Sequence, residues 1–501
     1  MRGKDHLFYL IKSLSKSEKR YFTLDAQKSG RKNSRYLALF QAINQQEEYS
    51  EGPLKKEFGK KLGDDKARLY EAILRAMRDY QSKKSYKTRI KELLTDAKIL
   101  FERKLLEQAE NRLEEAKSLA LELDDHLSVL EINLRQRDLI KRYLDKNYSD
   151  RVKELIAEKE KHIQLLQQEM GLHDSYDLLS IDVLRYPQRL AEEEINKITA
   201  EYEPVLALEP EHIDSFHAKW RLHRFLALYF RLKGDEDRVY EQLQETIGTW
   251  RNQERLISEH FSLYVGDFSN LLSATFRKTE LLDTLPQLLE ELKAHEAPNY
   301  QGKTFLFERI SIYELIYLLN APKESIDVPL ENVAKGLKNY DISPSSRLNI
   351  HFNAILLLFL NDRFEECLDW LTRLRPLLKK NKGLRRDIHE VSQIIYMLAI
   401  YCLGDFEQIE NTVRSVNRYF ARLDKSNLND FNKLLSSTIQ QLQKSSSFRQ
   451  EREILNNLKA KIEALNSPVL AGLDEIAILW IDRILQDKPI RQLRSEGRRK
   501  R

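Results

Sequence analysis

Three arginines offer the first chemistry in this sequence. Between residues 64 and 81, Leu69, Tyr70, Ile73, Leu74, Met77 and Tyr80 recur at helical spacing and share one side, which puts Arg68, Arg75 and Arg78 on the other. A basic outer face on the last helix of a small helical domain is what a DNA-reading helix-turn-helix presents, with arginine meeting phosphates or guanine edges. A plainer reading stands beside it. Glu71 and Asp79 lie four residues either side of Arg75, the spacing of local ion pairs on a solvated face.

Other strings that suggest chemistry fall away on inspection. Ala297, Gly302, Lys303 and Thr304 match a permissive phosphate-binding loop, but a working loop follows a buried strand and frees its backbone N–H groups with several glycines. Here residues 285–295 read as an amphipathic helix, and Gly302 and Lys303 open another near Thr304. His212, His217 and His223 are five and six residues apart, so no pair has the i, i+4 spacing of a zinc-binding helix, and they read as surface or packing residues. Glu192, Glu193 and Glu194 sit near a helix start, where the helix dipole favours them without any role as general acid. No catalytic constellation, cofactor motif or metal motif emerges. A non-catalytic protein without a cofactor is expected.

The elements that must position these residues are helices. Only 15 Gly and 12 Pro punctuate 501 residues, too few for the many turns of a sandwich or barrel, and charged residues at 32% suit amphipathic helices with wet outer faces. The apolar run at residues 354–360 is far below the ~18 residues of a membrane span. A short apolar run at residues 7–11 is too brief for a secretory leader. Cys367 and Cys402 provide no disulfide framework. A reduced, cytosolic setting with no membrane contact is the expectation.

One pattern recurs: an apolar helix, a tight polar turn and a second apolar-faced helix. One copy runs Ala399, Tyr401, Leu403, Gly404, Asp405, Phe406, Ile409, Val413, Val416, and a second runs Ala227, Phe230, Leu232, Gly234, Asp235, Val239, Leu243. In each, Gly takes the positive φ that ends one helix and Asp caps the next. Asn361 and Asp362 with Phe364, Cys367, Leu371 and Leu374 form a third copy; Lys104 and Leu105, between Ala97 and Ala109, form a fourth. These copies resemble degenerate tetratricopeptide repeats, helix-turn-helix units of ~34 residues. The family's usual tryptophan and proline are missing from most of them.

That resemblance implies an all-α, right-handed superhelix, an α-solenoid of antiparallel helix pairs, whose groove grips a protein or peptide partner through the first helix of each unit. Arg221, His223, Asn349 and His351 are the candidate groove contacts. The expected organisation is a small basic helical domain at 1–85, the array at 86–445, capping helices at 446–488 and a flexible basic tail at 489–501. Within the first domain five helices are expected, at 5–14, 16–26, 34–45, 51–59 and 64–81, with Ser15 and Glu18 spaced as a capping box and Asp64 capping the fifth.

Charge divides the chain along similar lines. Residues 1–91 carry 23 Lys and Arg against 11 Asp and Glu, and residues 491–501 carry 6 against 1, leaving 54 basic and 66 acidic residues between. Two expectations follow. The basic N-terminal 91 residues and the basic tail touch nucleic acid while the array senses a partner, or the basic domain docks on the acidic array of its own or a second copy, screened beyond ~8 Å by physiological salt.

Overall fold

A computed structural model of the chain describes residues 6–28, 35–82, 85–143, 147–185, 192–322, 324–381, 383–423, 428–465 and 469–498. Asp5 and Ser34, expected helix starts, and the last three residues of the basic tail lie outside them. Among the described residues every regular element is a helix, and none is long and apolar enough to cross a membrane. The chain divides into two compact units, Met1–Asp267 with Ala297–Tyr300, and Phe268–Glu296 with Gln301–Arg501.

The first unit opens with α1 (His6–Ser13), α2 (Lys16–Lys28), α3 (Arg35–Gln45), α4 (Glu51–Phe58) and α5 (Leu62–Ser82). Their apolar faces, from Leu7 to Met77, bury against one another. The capping box forms: Glu18 N–H donates to Ser15 Oγ at 3.2 Å, and Ser15 N–H to Glu18 Oε2 at 2.7 Å. Asp64 does not cap α5, because the helix starts at Leu62 and places Asp64 in its first turn.

Helix pairs follow: α6 (Tyr86–Glu102), α7 (Leu106–Glu122), α8 (His126–Tyr143), α9 (Tyr148–Arg185), α10 (Glu192–Glu201), α11 (Glu203–Leu206), α12 (Phe216–Lys233), α13 (Glu236–Trp250), α14 (Glu254–Glu259) and α15 (Phe261–Arg277). Each of α6, α7 and α8 packs on its successor. Ala97 of α6 and Ala109, Ala116 and Ala120 of α7 are buried, so small side chains let these two backbones approach. At 38 residues α9 spans roughly 57 Å and serves two neighbours, α8 and α12, where a tetratricopeptide-like unit would use two helices.

The second unit holds α16 (Leu285–Lys293), α17 (Tyr300–Asn320), α18 (Asp327–Asn339), α19 (Pro344–Phe359), α20 (Phe364–Lys380), α21 (Arg386–Cys402), α22 (Phe406–Ala421), α23 (Asn429–Lys444), α24 (Phe448–Glu463), α25 (Leu473–Gln486) and α26 (Ile490–Arg498). From α19 to α26 packing runs through sequential neighbours. Leu348, Ile350 and Phe352 to Phe359 are mostly buried on α19, as are Ile394, Ile395 and Met397 to Ile400 on α21. These two helices are apolar nearly all round and form the centre of the unit's core. The phosphate-loop-like string falls at the start of α17, where Gly302 is buried.

Of the tail expected to be flexible, residues 490–498 form a helix. On α26, Ile490 is fully buried, Arg491 Nε donates to the Pro322 carbonyl at 2.8 Å, Arg494 donates to the Leu319 carbonyl, and Lys488 pairs with Glu496 at 3.1 Å. A buried isoleucine and two guanidiniums spent on backbone carbonyls hold down what composition alone marked as free.

Tight turns create the pairs. Leu105, Asp125, Asp235 and Arg363 N–H donate to the carbonyls of Leu100, Ala120, Phe230 and Leu358, at 2.8–3.0 Å. The residue before each donates to Phe101, Leu121, Arg231 and Phe359, at 3.0–3.1 Å. This double closure requires positive φ at Lys104 (63°), Asp124 (52°), Gly234 (72°) and Asp362 (60°). Gly404 (72°) shares the backbone conformation. Asp235 and Asp405 then cap the next helices, accepting from Arg238 N at 3.1 Å and Gln408 N at 3.0 Å. Asp125 does the same for Ser128, at a turn that a search for Gly-Asp passes over.

Glycine alone tolerates positive φ without strain, so substitutions at these turns have opposite signs. Gly404→Ala lowers unfolding free energy by about 1–2 kcal/mol, whereas Lys104→Gly leaves it unchanged or raises it by up to about 1 kcal/mol, both read from urea denaturation followed by circular dichroism.

Candidate functional site

Titratable side chains far apart in sequence meet on one face of the first unit. The chain returns so that Glu259, at the end of α14, accepts from Tyr86 N–H at 2.8 Å and Ser85 Oγ at 3.0 Å, closing the N-terminus of α6. Lys87 is thereby brought near enough to His217 of α12 and to His260, beyond α14, to disfavour the charged form of each.

Asp124, held at positive φ, organises the next layer. Its Oδ2 accepts from Ser215 Oγ at 2.7 Å and from His217 N–H at 3.3 Å, tying the α7–α8 turn to the start of α12. His217 Nε2–H donates to the Leu123 carbonyl at 3.2 Å, and its ring meets His260 edge to face at 5.5 Å. Across the same turn, His126 and His162 share one proton between their Nδ1 atoms at 3.1 Å. Asp124 Oδ1 lies 3.4 Å from His126 Nε2. That carboxylate favours Nε2–H, so His162 donates and His126 accepts.

Burial governs the charges. It pushes His217 down from 6.5 to about 3, with His260 and Lys87 adding to the effect. His162 and His260 are lowered first by burial as well. Burial also raises Glu169 of α9, against the pull of Arg221, whose terminal nitrogen is 3.6 Å from that carboxylate. The face thus combines neutral imidazoles with Lys87 and Arg221. Three of its buried nitrogens, His126 Nε2, whose approach to Asp124 falls short of a hydrogen bond, Arg221 Nε and His260 Nε2, have no hydrogen-bond partner among the described residues. Unmet polar atoms inside a protein are costly, so three on one face mark it out.

Beneath this face lies a rigid anchor. Asp267, 3% exposed, accepts from the indole N–H of Trp220 at 2.6 Å and of Trp250 at 3.0 Å, and pairs with Arg224 Nε at 3.3 Å. Arg224 stacks on the rings of Trp220 and Tyr176, 4.6 and 4.7 Å from their centroids. Burial keeps the Asp267 carboxyl above the usual carboxylate range despite these donors.

The residues singled out from sequence divide. Arg221 belongs to this face. His223 is buried and bonded to Gln242 at 2.9 Å; His351 is buried, lowered in pKa by burial, and bonded through Nδ1 to the Arg347 carbonyl at 2.8 Å. Both rings are buried and hydrogen-bonded within the chain. Asn349 accepts from Arg385. His212 is exposed beside Glu209, and His217 is internal. Arg68, Arg75 and Arg78 are all exposed on α5, and none forms an ion pair among the described residues, so the local pairing with Glu71 and Asp79 does not appear. Among the described residues of the basic segment, Arg35 pairs with Asp65 and Glu51 with Lys55 and Lys66, while Arg89 and Lys91 pair with Glu115 of α7 and Glu131 of α8.

Lys87, Asp124, His126, His162, Glu169 and His260 escaped the sequence reading because no short spacing links them. No protein-family model matches the chain, and neither a curated protein nor a solved structure matches it.

Because His217 titrates near 6.5 when unfolded and near 3 when folded, the unfolded state alone gains its proton as pH falls below 6.5. Stability is therefore lost on acidification. Between pH 6.5 and 5 this histidine removes about 2 kcal/mol, and His217→Gln, which retains an N–H donor, loses correspondingly less over that range in paired urea titrations.

Proposed function

We propose that the chain is a non-catalytic interaction scaffold of degenerate tetratricopeptide-like helix pairs, and that it holds a protein or peptide segment against the polar face of the first unit. The unpartnered buried nitrogens of His126, Arg221 and His260, with Lys87 close to His217 and His260, support this reading most directly. An extended segment offers rows of carbonyl oxygens and carboxylates, and the Lys87 and Arg221 donors suit such acceptors. The Asp267 anchor favours binding without rearrangement, because Trp220 and Arg224 stand on α12, the helix that carries Arg221.

A photo-crosslinking residue at position 87, compared with one at exposed Glu107 on α7, tests the assignment in the native cell. Adducts with a defined protein at position 87, absent at position 107 and lost on Arg221→Ala, are expected. Equal labelling at both positions would sink it.

The unpaired state of Arg68, Arg75 and Arg78 favours a second reading, in which α5 contacts nucleic acid while the helix pairs hold the partner. Each phosphate neutralised contributes about 0.9 to the slope of log affinity against log salt. Full-length protein titrated against duplex DNA and RNA at several salt concentrations should therefore show a slope that falls by up to about 3 when all three arginines become alanine. No binding at low salt removes this reading.

A further inference from the structure

A second polar concavity, of about 280 Å³, lies among α7, α8 and α9. Glu114, Lys117, Gln136, Arg151, Glu154 and Glu158 line it, with Ile140 and Leu155 as apolar wall. Three carboxylates thus stand against two cations. Lys117 is spent on Glu158 at 2.7 Å, and Arg151 on Glu110. Glu114 meets only the neutral amide of Gln136, whose Nε2 donates to it at 2.6 Å, and Glu154 has no ion-pair partner among the described residues. Two carboxylates therefore stand without a compensating cation.

The unspent hydrogen-bonding capacity is of the same kind. Gln136 is 7% exposed, and donation to Glu114 fixes its amide so that Oε1 is the acceptor left over; no donor reaches it. Asn133, 1% exposed, is fixed likewise by donating to the Leu155 carbonyl and Glu158 Oε2, both at 2.9 Å, which leaves its Oδ1 without a donor. Of these two amides only Gln136 lines the cavity, and its free oxygen together with two unpaired carboxylates asks for N–H donors carrying positive charge. Ile140 and Leu155 ask for an alkyl stem behind them. Inorganic cations satisfy the charge but not the apolar wall.

We propose that this cavity binds the end of a basic organic cation, an alkylguanidinium or alkylammonium group such as terminates an arginine or lysine side chain or a polyamine. The charged end sits between Glu114 and Glu154 with N–H directed to Gln136 Oε1, and the alkyl stem lies against Ile140 and Leu155. This site does not depend on the partner face of the first unit described above.

Saturation-transfer NMR and calorimetry on the full chain, with N-acetyl-arginine methylamide, N-acetyl-lysine methylamide and spermidine as probes, test it. Saturable binding of at least one cation is expected, with none for the neutral isostere N-acetyl-citrulline methylamide. Binding by the capped amino acids alone assigns a basic side chain as ligand, and binding by spermidine alone or in addition assigns a polyamine. Glu154→Gln alters an exposed residue and leaves the packing untouched, while Gln136→Leu removes the buried acceptor. Each should weaken binding on the order of tenfold, with the helical circular dichroism unchanged for the first. Absence of saturable binding by all three cations, equal binding of citrulline, or undiminished affinity in Glu154→Gln overturns the proposal.

Discussion

The helix pairs of this chain depend on a backbone constraint at their turns: one residue must take positive φ so that two successive N–H groups can close the helix behind it. The double closure satisfies carbonyls that the helix end would otherwise leave open, and it redirects the chain within a few residues. Sequential packing follows, because a turn that short leaves the next helix nowhere to go but alongside the last. The chain meets the requirement with Gly at 234 and 404, and with Lys104, Asp124 and Asp362 elsewhere. At Asp124 the strained conformation has a second consequence, since it aims the carboxylate at Ser215 and His217 of a helix 91 residues further on.

What was legible in the sequence was local. Apolar rows at three and four placed the helices of residues 6–82 within about two residues of where they lie, and the Gly-Asp dipeptides marked two turns correctly, because propensity, capping and periodicity act over one or two helical turns. Composition misled at the C-terminus. A string of arginines reads as free, yet Ile490 and the carbonyls of Leu319 and Pro322 hold α26 down, and that depends on residues some 170 positions earlier. The polar face was illegible for the same reason. Its members span residues 87 to 260, and each alone looks like an ordinary buried histidine or surface charge. His223 and His351 were chosen for their place beside the better repeat copies, but helix facing depends on which neighbours cover a helix, which no single segment encodes.

Buried charge in the first unit is handled by neutralisation as much as by pairing. His162, His217 and His260 are depressed by burial, Glu169 and Asp267 are raised by it, and only Arg221 and Arg224 keep carboxylate partners close by. Desolvation outweighs attraction at each of these acids and bases, as expected where several titratable groups share one poorly solvated region. A face so arranged offers directional donors and acceptors with little net field. Recognition there would rest on geometry more than on long-range steering.

The contact between α8 and α9 ties these features together. Residues 126 and 133 of α8 meet residues 162, 158 and 155 of α9 in antiparallel order, and a seam of this kind ordinarily carries leucine or isoleucine. Here it carries His126 against His162, and Asn133 against the Leu155 carbonyl and Glu158. Apolar seams tolerate sliding, because one leucine replaces another; hydrogen bonds between fixed positions are satisfied in one register only. The polar seam thus exchanges some apolar stabilisation for a defined alignment of the 38-residue α9. It also accounts for where the unmet atoms lie. A two-helix seam cannot satisfy every lone pair and N–H of the amides and imidazoles it buries, so His126 Nε2, Asn133 Oδ1 and Gln136 Oε1 stay without hydrogen-bond partners along it. The polar contact thus contributes one unmet nitrogen to the face that Arg221 and His260 complete, and through Gln136 one unmet oxygen to the wall of the cavity beside α7.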